Sequence, residues 1–259
     1  MNSLLLWIIG FSLIGGVLSV LLAAIFLILP ENVRAVAVPR LVSFAIGSLL
    51  GAAFLALLPH ALESGHGIDP HNIFMTVLLG VLMFFLLEKL VIWRHCHNDV
   101  CEAHTHAEHH HASAATLILV GDGIHNLMDG VLVAAAFMTD IDLGIVTSLA
   151  VAAHEIPQEV GDFAILLQGG FSRSRALFFN VLSSVSTLVG GVAAYFLLAP
   201  VTHITPYILA LAAASFIYIA VADLIPGLHK KVDIASTIQQ IVLILAGVLV
   251  IYIAHSTLH

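Results

Sequence analysis

The sequence predicts an all-α polytopic membrane protein with eight transmembrane helices, and three observations carry that reading. The chain of 259 residues is 60% hydrophobic and only 9% charged, with a mean hydropathy of +1.08. A soluble domain carries about a quarter of its residues as Asp, Glu, Lys and Arg. Apolar runs recur along the whole length, each long enough for the roughly 30 Å hydrocarbon core, which takes about 20 helical residues. The runs are continuously apolar and lack the period-two alternation of a membrane barrel, so helices are expected.

Taken in order, the spans are expected near 3–29, 38–62, 72–93, 114–138, 143–169, 175–198, 206–228 and 235–255, in a single transmembrane domain over 1–259. The first is uncharged, with no basic leading region and no small-residue cleavage site, so it reads as a retained span and not a signal peptide. The second ends in LLPHALE, which places His60 and Glu63 at a helix end. The third runs into basic residues. The fourth and fifth carry nearly all the intramembrane acids, and the sixth, ALFFNVLSSVSTLVGG, has only Asn180, Ser183 and Ser184 as amide and hydroxyl groups of note. The seventh contains ADLIPG with Asp223. The eighth reads as an apolar element packing on lipid or scaffold.

All eight basic residues (Arg34, Arg40, Lys89, Arg94, Arg173, Arg175, Lys230 and Lys231) lie at or beside the connections after spans one, three, five and seven. The positive-inside rule puts those connections in the cytoplasm and both termini outside. The short connections and the missing N-terminal domain suggest a bacterial inner membrane. No nucleic-acid partner is expected.

The connection after span three, 94–113, is expected to be a cytoplasmic His-rich loop. Its stretch HCHNDVCEAHTHAEHHH holds seven histidines and both cysteines of the chain. Imidazole and thiolate bind divalent metals, but the spacing fits no closed structural zinc site. Cytoplasmic cysteines are expected as thiols. A weak buffering or sensing loop is the preferred reading, a merely polar loop the alternative.

The chemistry lies in spans four and five. In VGDGIHNLMDG, residues 120–130, Asp122, His125, Asn126 and Asp129 are spaced i, i+3, i+4, i+7 and share one helical face. In AHEIPQEVGDF, residues 153–163, His154 and Gln158 share one face while Glu155, Glu159 and Asp162 share its neighbour. Each ionisable group at the bilayer centre costs at least ~2.5–3.5 kcal/mol on insertion scales. No Lys or Arg lies in the interior of any span to pair with these acids, so the compensating charge should be a cation. The alternative is that the groups hydrogen-bond one another between helices. Imidazole with carboxylate suits zinc, iron, manganese, cobalt or cadmium, whereas all-oxygen cages suit calcium and magnesium and soft sulfur sites suit Cu(I). Pro157 removes an i→i−4 hydrogen bond and frees a carbonyl near the motif. Gly121, Gly123, Gly130 and Gly161 flank the motifs and suit close helix packing.

HNLMDG followed by HEIPQE, with their histidines 29 residues apart, resembles the ZIP (zinc/iron-permease-like) metal transporters and is closest to their HExPHE branch. The fourth span of that family reads HNxxxG, often HNxxDG. The resemblance covers the whole chain and implies a 3+2+3 inverted-repeat architecture and a homodimer in the lipid bilayer. A divalent ion, Zn2+ first, would bind as transported substrate and not as a catalyst's cofactor, pass between spans four and five, and leave to the cytoplasm. By the same resemblance His125, Asn126 and Asp129 are fourth-span ligands, and His154, Glu155 and Gln158 are fifth-span ligands. Glu159 matches the last Glu of HExPHE, and His60 supplies a further ligand or pathway group, unless it is only an interfacial histidine. Gln158 departs from the family, which has His or Glu there. The sixth span lacks the carboxylate that some relatives use for a second ion, so one principal metal is expected. Asp223 resembles a family pattern but receives no ligand role.

Other readings are an intramembrane zinc hydrolase, a cation-diffusion-type exporter and a metal sensor. HEIPQE begins like HExxH, in which two histidines bind zinc and Glu is the base. Gln158 stands at the second histidine position, so no enzyme is expected. Histidine ligands must be deprotonated to hold metal. Uptake should therefore weaken as external pH falls through the imidazole range near ~6.5, and uptake that is flat from neutrality to pH ~5 would count against two histidine ligands.

Overall fold

A computed structural model describes residues 3–26, 28–64, 67–96, 107–229 and 233–258. Among them the chain forms eight continuous helical stretches: α1 (Ser3–Phe26), α2 (Glu31–Ser64), α3 (Pro70–Cys96), α4 (Ala107–Thr139), α5 (Ile141–Gln168), α6 (Arg173–Leu198), α7 (Thr205–Leu228) and α8 (Ile234–Leu258). Six of them, α1, α2, α3, α6, α7 and α8, are long and apolar enough to cross a membrane. The other two, α4 and α5, are 33 and 28 residues long and carry the polar motifs in their interiors. Residues 97–106 of the His-rich segment, and Lys230 and Lys231, lie outside the described residues.

Helix α2 starts at Glu31, seven residues before its apolar run at 38. A helix end answers to backbone hydrogen bonding and capping, whereas an apolar run marks only the part that can sit in hydrocarbon.

Three helices widen locally into π-turns, at Ile14–Leu18 in α1, Ala52–Leu57 in α2 and Ile219–Leu224 in α7. In α2 and α7 the cause is legible. Pro59 and Pro226 lack an N–H and crowd the carbonyls four residues back, those of Leu55 and Ala222. Both carbonyls fall within the π-turns, which absorb the mismatch. The α1 π-turn instead contains Gly15 and Gly16. At Gly16 a Cβ would lie 2.7 Å from the carbonyl oxygen of Ser184 on α6.

Backbone contacts fix the relative directions of the helices. A Cβ on Gly47 of α2 would meet Ile244 O of α8 at 1.9 Å, and one on Gly51 would sit 3.3 Å from Val248 Cα, so α2 and α8 run parallel. Gly123 faces Ser183 and Gly130 faces Thr187 and Gly191, so α4 and α6 are also parallel. Gly80 against Ala214, and Phe84 against Tyr218, align α3 with α7. Helix α1 opposes α6, since Gly16 meets Ser184 while Ile8 meets Gly191.

One residue separates α4 from α5. Asp140 caps α5, its Oδ1 accepting from the backbone N–H groups of Asp142 at 2.8 Å and Leu143 at 3.1 Å. Gly144 lies so close to the Phe137 ring that a Cβ would meet it at 2.2 Å. This tight hairpin sets the register of the two polar motifs. His125 lies 15 residues before Asp140 and His154 lies 14 after it, about 22 and 21 Å along the helices at 1.5 Å per residue. The two histidines are therefore brought to the same depth. The outer belt is apolar and exposed, with Phe178 at 61%, Phe196 at 63% and Leu245 at 60%, as suits a surface that faces lipid.

Candidate metal centre

His125 and Asp129 sit one turn apart on α4, and His154 and Glu155 are adjacent on α5. One ligand atom from each falls within 4.8 Å of the others. The two imidazole Nε2 atoms are 3.3 Å apart. Asp129 Oδ2 lies 3.2 Å from His154 Nε2 and 3.9 Å from His125 Nε2. Glu155 Oε1 lies 3.4 Å from His125 Nε2 and 3.7 Å from His154 Nε2. Asp129, His154 and Glu155 are fully buried, whereas the His125 side chain keeps 21% of its surface accessible. The cluster is thus reached over His125.

The His154 ring is held by its other nitrogen. Nδ1 lies 3.0 Å from Ala150 O, one turn back on α5. A hydrogen bond from Nδ1–H to that carbonyl fixes the tautomer and presents the Nε2 lone pair to the cluster, as outer hydrogen bonds do for metal-binding histidines. Phe216 of α7 closes one side, its ring 6.1 Å from that of His154. Among the described residues the carboxylate oxygens of Asp129 and Glu155 accept no hydrogen bond, and no Lys or Arg pairs with them. With both histidines neutral, two buried carboxylates face two nitrogen lone pairs. An isolated buried charge is costly, and a divalent cation would cancel both at once while accepting both nitrogens. Two imidazoles and two carboxylates suit zinc and its neighbours better than calcium.

The remaining residues expected as ligands have the following surroundings. Asn126 is fully buried but turned to α6: its Nδ2 donates to Asp122 O and Oδ1, at 3.1 and 2.9 Å, and its Oδ1 accepts from Thr187 Oγ1 at 2.7 Å. Its amide therefore joins α4 to α6. Gln158 is half-buried. Glu159 is fully buried, its oxygens accept no hydrogen bond among the described residues, and it stands outside the cluster. His60 lies on α2, where it meets His255 of α8. Thr187, Phe216 and His255 are partners that the sequence reading missed. Only their tertiary neighbours mark them, although His255 could have been noticed as the imidazole at the end of an otherwise apolar span.

Thr187→Val keeps the side-chain volume but leaves the Asn126 carbonyl oxygen without its donor. A buried group that loses its partner costs about 1–3 kcal/mol, so a lowered thermal midpoint and weaker ion binding are expected. An unchanged midpoint would mean that Asn126 is not the strut it resembles.

A family model described as ZIP Zinc transporter matches residues 3–114 and 94–255. The chain is 29% identical to the zinc transporter zipt-7.1 of Caenorhabditis briggsae, over 98% of this chain and 80% of that protein. It is 33% identical to the zinc transporter ZIP13 of Pongo abelii, over 82% of this chain and 65% of the relative. It is 32% identical to ZIP13 of Mus musculus, over 82% and 68% respectively. With matches that run from the first helix to the last and a four-residue ligand cluster built from its two polar motifs, this chain belongs to the ZIP zinc transporter family.

Proposed function

We propose that the protein carries divalent transition-metal ions, Zn2+ first, across a bilayer into the cytoplasm. The single observation that carries this reading is the convergence of His125, Asp129, His154 and Glu155 within 4.8 Å, on the two helices whose interiors are too polar to sit in lipid uncompensated. His125, the one member of the cluster with accessible surface, marks one approach to the site.

All eight helices cross the membrane in this reading, with both termini outside. The helix directions support it, since α2 with α8, α4 with α6 and α3 with α7 run parallel, as pairs separated by an even number of crossings must. The matching π-turns and prolines of α2 and α7 favour an inverted 3+2+3 repeat, because they place one device toward the C-terminal ends of two helices that cross in opposite directions in this reading. A homodimer in a bacterial inner membrane completes the proposal.

Uptake of radioactive zinc into proteoliposomes tests it, with His125→Ala and Glu155→Ala beside the parent and bound metal counted in the same preparations. Parent vesicles should accumulate zinc and both variants should lose binding and uptake together. Zinc bound without flux would make the protein a sensor. Flux only out of the cytoplasmic side would make it an exporter.

A further inference from the structure

A second pair of histidines repeats the imidazole arrangement of the centre at the far end of α2. His60 and His255 have ring centroids 5.4 Å apart at 66°, and His125 and His154 have the same separation and angle. The likeness extends to the locking bond. His60 Nδ1 lies 3.0 Å from Ala56 O, four residues back, as His154 Nδ1 lies 3.0 Å from Ala150 O. In the centre this arrangement brings two Nε2 atoms to 3.3 Å.

The scaffold under the outer pair is rigid. Helices α2 and α8 touch backbone to backbone at Gly47, Gly51 and Gly247, below the two rings. A pair of imidazoles on two helices locked in this way is preorganised and needs little ordering to chelate an ion. His60 is only 8% exposed, and His255 is half-buried beside it.

We infer that His60 and His255 form a second metal site, separate from the central cluster, which takes a borderline divalent cation such as Zn2+ or Cu2+ and ties the ends of α2 and α8 together. Imidazole pairs suit these ions and follow the order in which Cu2+ binds most tightly. Water supplies the remaining ligands. His60 thereby serves its own site and not the central one. The inference is independent of transport: a chain that binds Cu2+ here yet moves no zinc would sink the transport proposal and leave this site standing.

The test is a spin label at Ser64→Cys, one turn beyond His60, in the full chain with Cys96 and Cys101 changed to serine. Added Cu2+ should broaden the label's spectrum strongly, and excess Zn2+ should reverse the broadening. His255→Ala should abolish it, and equilibrium dialysis should then count one bound ion fewer per chain. His60→Ala should give the same loss, with no further loss in the double variant. His255→Gln serves where the alanine variant does not fold. No broadening in the parent, or broadening that survives the loss of His255, overturns the site.

Discussion

Asp129→Asn is expected to abolish both zinc binding at the centre and zinc uptake, whereas Gln158→Ala is expected to keep both within a few-fold. Asp129 Oδ2 is the carboxylate atom nearest to His154 Nε2, at 3.2 Å, and its side chain is fully buried. The amide is isosteric but carries no charge, so the ion would lose one of the two anions that neutralise it. Changing a mere outer-shell partner already costs about 10–100-fold in metal affinity, and losing a fully buried anionic ligand should exceed that. Thermal unfolding reads the effect directly. A ligand present at ~100 times its Kd stabilises the folded state by about 2.7 kcal/mol, so zinc should raise the midpoint of the parent and of Gln158→Ala but leave that of Asp129→Asn unmoved. Gln158 is the contrasting case because its neutral amide brings no charge to the ion and the fold leaves it half-buried. If Gln158→Ala lost zinc as completely as Asp129→Asn, the ion would sit deeper along α5 than these four side chains allow.

The same contrast shows what a sequence can reveal about such a site. Periodicity within one helix put His125 and Asp129 on one face, and on the next helix it put His154 and Glu155 on neighbouring faces. Charge balance then required a cation. What periodicity cannot report is which neighbour a side chain turns toward once the helices pack. Asn126 shares the face of His125 by spacing, yet Thr187, 61 residues away, draws its amide to α6. His60 was assigned by position in its span, but its ring partner is decided by α8, which runs beside α2. Helix α8 packs on lipid and on α2 as its apolar run implies, and only that packing brings His255 to His60. The all-helical class was legible because each apolar run must satisfy its own backbone hydrogen bonds in lipid. The π-turns were not, since a proline announces a lost hydrogen bond but not how the helix accommodates it.

The four glycines beside the motifs were alike in sequence and are unlike in the fold, which leads to the second large effect. Gly130→Ala and Gly190→Ala should each disrupt the protein, whereas Gly121→Ala and Gly161→Ala should not. A Cβ on Gly130 would lie 1.9 Å from Thr187 O, and one on Gly190 would lie 2.1 Å from Leu127 O. Both obstacles are backbone, so no side-chain rotation relieves them and α4 must move away from α6. Overpacking of this kind costs about 1–3 kcal/mol and occasionally more. Separation would also strain the bond from Thr187 to Asn126 and shift Asp129, the neighbour of Gly130, relative to His154 across the hairpin. Zinc binding should therefore fall in Gly190→Ala, although Gly190 lies on a helix that contributes no member of the cluster. Nothing lies within 4 Å of a Cβ built on Gly121 or Gly161, and alanine is the better helix former by about 1 kcal/mol, so those two variants should be neutral or slightly more stable. Thermal unfolding and zinc counting on all four variants decide the matter. A Gly190→Ala protein with parental stability and a full complement of zinc would mean that α4 and α6 are not in backbone contact, and the register that assembles the centre would need another origin.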